Sequence, residues 1–136
     1  MAADWRKVIA SDEREFKFGE IYLIKDELID LPESLFVKRT FHHNRPVVIH
    51  QHCDSNLNKH IWTLNAVPIS SQVDYKRDTD LEIKPENGNY IYKDSLIRLG
   101  LAQPFLKVDL EGPVGVLTDD QMKDLAAIQM KLTGLI

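Results

Sequence analysis

One cysteine in 136 residues, Cys53, leaves no internal disulfide and no CxxC metal or redox pair, and it fits a reducing compartment such as the cytoplasm. The six glycines and six prolines gather into no linker that would divide the chain, and there is no internal repeat or low-complexity tract. No apolar run approaches the ~18 residues that a bilayer-spanning helix requires, so no membrane partner is expected. The first residues, MAADWRKVIASDEREF, carry too much charge for a signal peptide. Basic residues are outnumbered, 17 Lys and Arg against 21 Asp and Glu, for a net charge of −4. That balance excludes a globally basic nucleic-acid binder and confines any RNA or DNA site to a local patch. What remains is a chain sized for one domain, able to bury roughly two-thirds of its unfolded surface.

Residues 3–15 place Trp5, Val8 and Ile9 on one side of a short predicted helix. Apolar, β-branched and aromatic runs then predict strands at 20–24, 45–51, 61–67, 81–83, 95–99 and 105–110, with the third stopped by Pro68. Pro46 belongs at a strand start or an edge, because it cannot donate to a ladder. Between the first two strands lies a long connection, residues 25–44, of a length more often functional than decorative. The last element is a helix. Thr118 and Gln121 have capping-box spacing, Leu117 and Met122 are placed as a hydrophobic staple, and Asp119 and Asp120 suit the positive helix end. Met122, Leu125, Ala126 and Leu132 are expected on its inner face, with Gly134 ending it. About six short strands and a terminal helix, without βαβ alternation, predict a mostly β fold: a small antiparallel barrel or sandwich capped by a helix.

Two constellations could carry chemistry. The stretch 36–45, FVKRTFHHNR, holds a charge of +3 and no acid, which leaves −7 for the rest of the chain. Cations that neutralise phosphate, interleaved with Phe and His that stack on unpaired bases, are the composition of a single-strand binding loop. A solvated loop balancing nearby acids has the same composition. The second constellation is His50, His52 and Cys53, with His60 across a hairpin. Zinc is conceivable there, but no carboxylate stands at ligand spacing and no second ligand pair is present, so no metal and no cofactor is expected. The sequence contains no Gly-rich phosphate loop, GxSxG elbow or HExxH.

Four segments, Gly19-Glu20-Ile21-Tyr22, Arg45-Pro46-Val47-Val48-Ile49, Val67-Pro68-Ile69-Ser70-Ser71 and Asp94-Ser95-Leu96-Ile97-Arg98, together resemble, in that order, the PemK/MazF toxins of bacterial toxin–antitoxin pairs. The resemblance covers residues 17–135 and leaves 1–16 as an N-terminal extension to a domain at 17–136. It implies an SH3-like antiparallel barrel with a C-terminal helix, forming a symmetric homodimer. It also implies a metal-independent endoribonuclease acting on single-stranded RNA, neutralised by an antitoxin and able with it to bind operator DNA. By position, Arg45 matches an arginine at the RNA site, Ser70 a hydroxyl residue ending the third strand, and Arg98 a catalytic arginine.

The implied reaction is attack of a ribose 2′-OH on its own phosphate, giving a cyclic phosphate and a 5′-hydroxyl. Arg45 and Arg98 suit stabilisation of the phosphate oxygens, since a guanidinium fork matches phosphate. A base is still required. His42 and His43 are candidates on chemical grounds alone, with His43 taken as the catalytic one. Lys38, Arg39, His42, Arg45 and Ser71 are the expected nucleic-acid contacts. Ser70 suits a phosphate or base-edge contact and equally suits plain turn chemistry. Two positions depart from the family pattern: Gly100 replaces an acid two residues after Arg98, and Gln103 replaces a basic residue. These departures keep two other readings open. One is a catalytically degenerate barrel that binds RNA or DNA or acts in regulation; the other is a β domain serving protein contacts alone.

Overall fold

Three apolar runs sit at the centre of the structure because both of their faces are covered. The computed structural model describes residues 7–8, 11–32 and 43–135. The central strands are β1 (Glu20–Lys25), β2 (Asn44–Ile49) and β3 (Thr63–Ser70). Side chains alternate across a strand, and here each alternate set enters a different core. Tyr22, Ile24, Val47, Ile49, Leu64 and Ala66 enter one core with Phe16, Phe105 and Leu110. Ile21, Val48, Val67 and Ile69 enter the other, with Ile83, Ile97, Leu117 and Leu125. The runs therefore read as continuous hydrophobic stretches rather than as a polar–apolar alternation.

Around them lie β4 (Asp80–Ile83), β5 (Ser95–Arg98), β6 (Gln103–Leu106) and β7 (Glu111–Val116). All pairings are antiparallel. The strand path is β4-β5-β3-β2-β1-β7, with β6 also on β3, and the sheet is strongly curled. The mostly β architecture with a terminal helix agrees with expectation, and four details do not. Pro68 does not stop β3. It pairs opposite Val47, and on the other edge of β3 it falls between β6, which reaches Ala66, and β5, which begins at Ile69. That gap tolerates a residue with no N–H. β7 is an unanticipated seventh strand, and the run expected at 105–110 ends at Leu106 in a 3₁₀ turn, Lys107–Asp109. The turn-rich hairpin connection that the sequence CDSNLNKH predicts at 53–60 contains a one-turn helix, α1 (Asp54–Leu57).

The terminal helix, α2 (Asp119–Leu132), begins as its sequence dictates. Thr118 Oγ1 accepts the Gln121 N–H at 3.2 Å, and Gln121 Oε1 accepts the Thr118 N–H at 3.0 Å. Gly134 at φ +79° turns the chain at the other end, where the Leu135 N–H donates to the Met130 carbonyl at 3.0 Å. Leu125 is buried with Met122 and Ile128 against the core, whereas Leu132 is 46% exposed and lies off the expected inner face.

The N-terminal segment is joined to the sheet. Lys7, Val8 and Ser11 are helical, but the helix expected to run to residue 15 has ended by Asp12. Arg14 donates to the carbonyls of Leu110 at 2.5 Å and Lys107 at 3.0 Å and pairs with Asp12 at 2.7 Å. Its guanidinium also lies 4.9 Å from the Phe16 ring centroid.

Beside this clamp, Tyr22 is fully buried and donates its hydroxyl to Glu20 Oε1 at 3.0 Å. Burial, then the Glu20 charge, push its phenol well above the usual tyrosine range. The folded state therefore holds this proton more tightly than the unfolded chain. Its contribution is whole below about pH 10 and is lost as pH rises beyond that. Lys107, its ammonium disfavoured by desolvation, acts in the opposite sense, and the larger Tyr22 displacement sets the net sign. Urea midpoints are expected to fall between about pH 8 and about pH 11 in the wild type and to fall less in Tyr22→Phe. Parallel pH curves for the two proteins would remove Tyr22 as the cause.

Candidate active site

The site forms where the chain enters β2 and leaves β3. Antiparallel register sets Arg45 opposite Ile24 and Asn44 opposite Lys25, so the head of β2 lies against the turn that follows β1. That turn carries Asp26, which has no exposed surface. Arg45 Nε stands 2.9 Å from Asp26 Oδ1, and its N–H is not aligned on that oxygen, so the contact is an ion pair. A buried carboxylate is costly without such a partner, and the pair fixes the guanidinium at the mouth of the strand.

Arg45 then lines a cavity of about 390 Å³. His43, Asn44 and Pro46 border it from β2, Leu23 from β1, and Ile69 and Ser70 from the end of β3. Ser71 and Gln72 follow Ser70, and the loop between β4 and β5 contributes Tyr90, Ile91, Tyr92 and Lys93, with Ser95 at the start of β5. Among these lining residues the charged side chains are Arg45 and Lys93, His43 is titratable, and there is no Asp or Glu. Cations, hydroxyls and two phenol rings without a carboxylate form a surface suited to phosphate and to unpaired bases. Ser70 Oγ accepts the Gln72 N–H at 3.2 Å, so its oxygen ends the strand while its hydroxyl proton stays available as a donor.

Arg45, Ser70, Ser71 and His43 are thus brought to one cavity. Arg98 is not among its lining residues. It sits at the far end of β5, three residues from Ser95 and so about 10 Å along the strand. There it faces Asp80 in register, with Nε 3.8 Å from Asp80 Oδ1. Its carboxylate partner comes from the neighbouring strand rather than from position 100. Lys38, Arg39 and His42 lie outside the described residues. Gln103, read as a replaced basic residue, clamps the start of the β1–β2 connection. Its Oε1 accepts the Asp30 N–H at 2.8 Å, and its Nε2 donates to the Asp30 and Leu101 carbonyls, each at 3.0 Å.

Of the histidine set, His50 reaches the terminal helix. His50 Nδ1 lies 2.6 Å from Gln129 Oε1 of α2, and the Cys53 N–H donates to Asn56 Oδ1 at 3.0 Å at the head of α1. The exposed Cys53 thiol is lowered from its usual range by a hydrogen bond with Ser55. Among the described residues no three His, Cys, Asp or Glu side chains converge on a common point. The same residues include no helix long and apolar enough to cross a membrane.

Sequence reasoning missed Tyr90, Tyr92 and Lys93. The available signal was the turn Asn87-Gly88-Asn89 running into Tyr-Ile-Tyr, two exposed aromatics flanking a buried isoleucine.

No curated protein matches the chain at a significant level of sequence similarity. Solved structures do match its fold. The Mycobacterium tuberculosis toxin MazF-mt6 superposes with a TM-score of 0.61 at 18% identity, over 85% of this chain and 96% of the toxin. An endoribonuclease solved with its cognate antitoxin, from a mycobacterial species, gives a TM-score of 0.58 at 15% identity, over 88% and 94%. A crystal structure of an Mtb toxin gives 0.52 at 24% identity, over 62% and 87%. A family model of PemK-like, MazF-like toxins of type II toxin–antitoxin systems matches residues 17–132. That match spans most of the chain and every strand and helix of the sheet domain, and the protein belongs to this toxin family.

Proposed function

We propose that the protein is an endoribonuclease toxin that cuts single-stranded RNA in the cavity at the head of β2, without a metal, and that an antitoxin neutralises it. The observation that carries this reading is the cavity, without an Asp or Glu among its described lining residues, where Arg45, anchored on buried Asp26, shares one wall system with Ser70, His43 and two tyrosines. One structural relative is an endoribonuclease bound to its antitoxin, which supports the same class of partner here. A homodimer and operator binding by the toxin–antitoxin complex belong to the same proposal.

The chemistry is transesterification. A ribose 2′-oxygen attacks the adjacent phosphorus and gives its proton to a base. The O2′–P bond forms, the P–O5′ bond breaks, and the departing 5′-oxygen takes up a proton, leaving a 2′,3′-cyclic phosphate and a 5′-hydroxyl. Negative charge grows on the non-bridging phosphate oxygens during this step. Arg45 supplies a fixed positive fork there, and preorganised charge of this kind stabilises the transition state most effectively. Imidazole exchanges protons near neutral pH, and His43 at the rim is the base this reading assigns. Ser70 and Ser71 supply hydroxyl donors to phosphate or base edges. Arg98, paired with Asp80 outside the cavity, acts in this scheme as a structural or peripheral cation.

Cleavage of a long, largely unstructured RNA in EDTA tests the proposal. Discrete cuts with cyclic-phosphate and 5′-hydroxyl ends are expected, abolished by His43→Ala combined with Arg45→Ala and largely retained in Arg98→Ala. The position of Arg98 outside the cavity also favours a second reading, a binding protein of the same fold. Salt-dependent RNA or DNA binding without cleavage would establish that one instead.

A further inference from the structure

Tyr90 is the point where the β4–β5 loop reaches the cavity, and its backbone is unusual. Its φ of +66° lies in the left-handed region, and it is the one described non-glycine residue there. For a bulky side chain that conformation is strained, so the surroundings must hold it.

They do so through buried hydrogen bonds. Asn89 has no exposed surface, and its amide fills all four of its bonding positions. Oδ1 accepts the N–H of Glu86 at 3.2 Å and of Ile91 at 3.1 Å, bracketing Tyr90. Nδ2 donates to the Lys84 carbonyl at 2.9 Å and to Gln121 Oε1 at 3.4 Å. Gln121 is the capping residue of α2, and its own Nε2 donates to the Lys84 carbonyl at 3.2 Å. From the other side β7 closes on the loop. The Val116 N–H donates to the Gly88 carbonyl at 3.0 Å, and a Cβ on Gly115 would stand 2.8 Å from that of Tyr90.

All of this fixes the backbone that carries a ring the core does not use, for Tyr90 is 45% exposed and lines the cavity with Arg45. Tyr92, two residues on, is 82% exposed. A ring carried on a backbone fixed in advance loses less entropy on binding than one on a mobile loop, and an aromatic face beside a phosphate-binding cation stacks on an unpaired base.

We infer that Tyr90 is the stacking platform for the nucleobase next to the phosphate held by Arg45, and that it sets base preference at one position beside the cut. The inference rests on the ribonuclease reading for its cleavage arm and on single-stranded RNA binding alone for its second arm. The first arm maps 5′-hydroxyl ends on one long RNA with wild type, Tyr90→Phe and Tyr90→Gly. Glycine adopts the same backbone without strain, so loss of fold does not confuse the result. Phe is expected to preserve the cleavage map. Gly is expected to flatten base preference at one flanking position and raise KM by about 5- to 150-fold with kcat within a few-fold, the range for one lost base stack. An unchanged map and KM in Tyr90→Gly would overturn the inference.

The second arm uses a short single-stranded RNA carrying 2-aminopurine, at low salt, and needs no cleavage. Wild type and Tyr90→Phe are expected to quench the probe, and Tyr90→Gly is not. Equal quenching by all three, or no binding by wild type, would overturn the inference. If wild type quenches but cuts nothing, the ribonuclease reading falls while the stacking site stands.

Discussion

Arg45→Ala is expected to lower the RNA cleavage rate by about 10²–10³-fold, the usual cost of removing one preorganised donor from a developing oxyanion. It is also expected to destabilise the fold, because the buried Asp26 carboxylate loses its ion pair with Arg45. The two effects have different origins and can be separated. Asp26 has no exposed surface and stands 2.9 Å from Arg45 Nε, so Asp26→Asn removes the buried charge at nearly constant shape. The double variant Arg45→Ala, Asp26→Asn should regain much of the lost stability and none of the lost rate. Arg45→Lys should keep the charge and recover only part of the activity, since an ammonium cannot reproduce the planar fork on phosphate. Urea melts and single-turnover cleavage in EDTA measure the two quantities side by side. Cleavage at the wild-type rate by the stable double variant would take Arg45 out of the chemistry and leave it a structural ion pair.

The contrast between Arg45 and Arg98 shows how far the sequence could be read. Strand position is a local property, so Arg45 at the head of β2 and the capped helix from Asp119 were legible from apolar runs and caps. Ser70 at the end of β3 was legible only through the family resemblance, because the apolar run alone ends at Pro68. Which end of a strand faces a cavity depends on register between distant segments. The family resemblance set Arg98 beside Arg45 as a site arginine, and register sets it against Asp80, 18 residues earlier in the chain. Gln103 is a similar case. Its type suggested a lost basic contact, and its fold position makes it a clamp on the Asp30 backbone. β7 escaped because Gly112, Pro113 and Gly115 are poor strand formers, and its place is secured by pairing with β1 and by close approach to Tyr90. Tyr90 escaped for a related reason. Its role depends on a positive φ fixed by Asn89 and Gln121, and a hydrogen-bond network spanning 32 residues leaves no periodic trace.

The family match begins at residue 17, yet Phe16 is expected to be among the most costly residues to truncate. Its side chain is 1% exposed in the core shared with Tyr22, Val47 and Leu64, and its ring centroid lies 5.1 Å from that of Tyr22. Its backbone is held as well. The Phe16 N–H donates to the Asn56 carbonyl at 3.2 Å, and the Phe16 carbonyl accepts from Asn56 Nδ2, so α1 grips the chain just before β1. Two cations rest on the same ring, the Arg14 guanidinium at 4.9 Å and the Lys107 ammonium at 5.6 Å. Phe16→Ala empties that volume and removes the apolar face on which both charges lie. A loss of about 3–5 kcal/mol is expected, which for a domain of this size lowers Tm by about 10–20 °C. Phe16→Leu should lose markedly less, since most of the buried volume is kept. The cavity residues lie on other elements, so cleavage per folded molecule at low temperature should stay close to wild type. A melting point unchanged by Phe16→Ala would make residues 12–16 a true appendage. The expected drop makes them part of the domain's core and moves its physical boundary upstream of the family's.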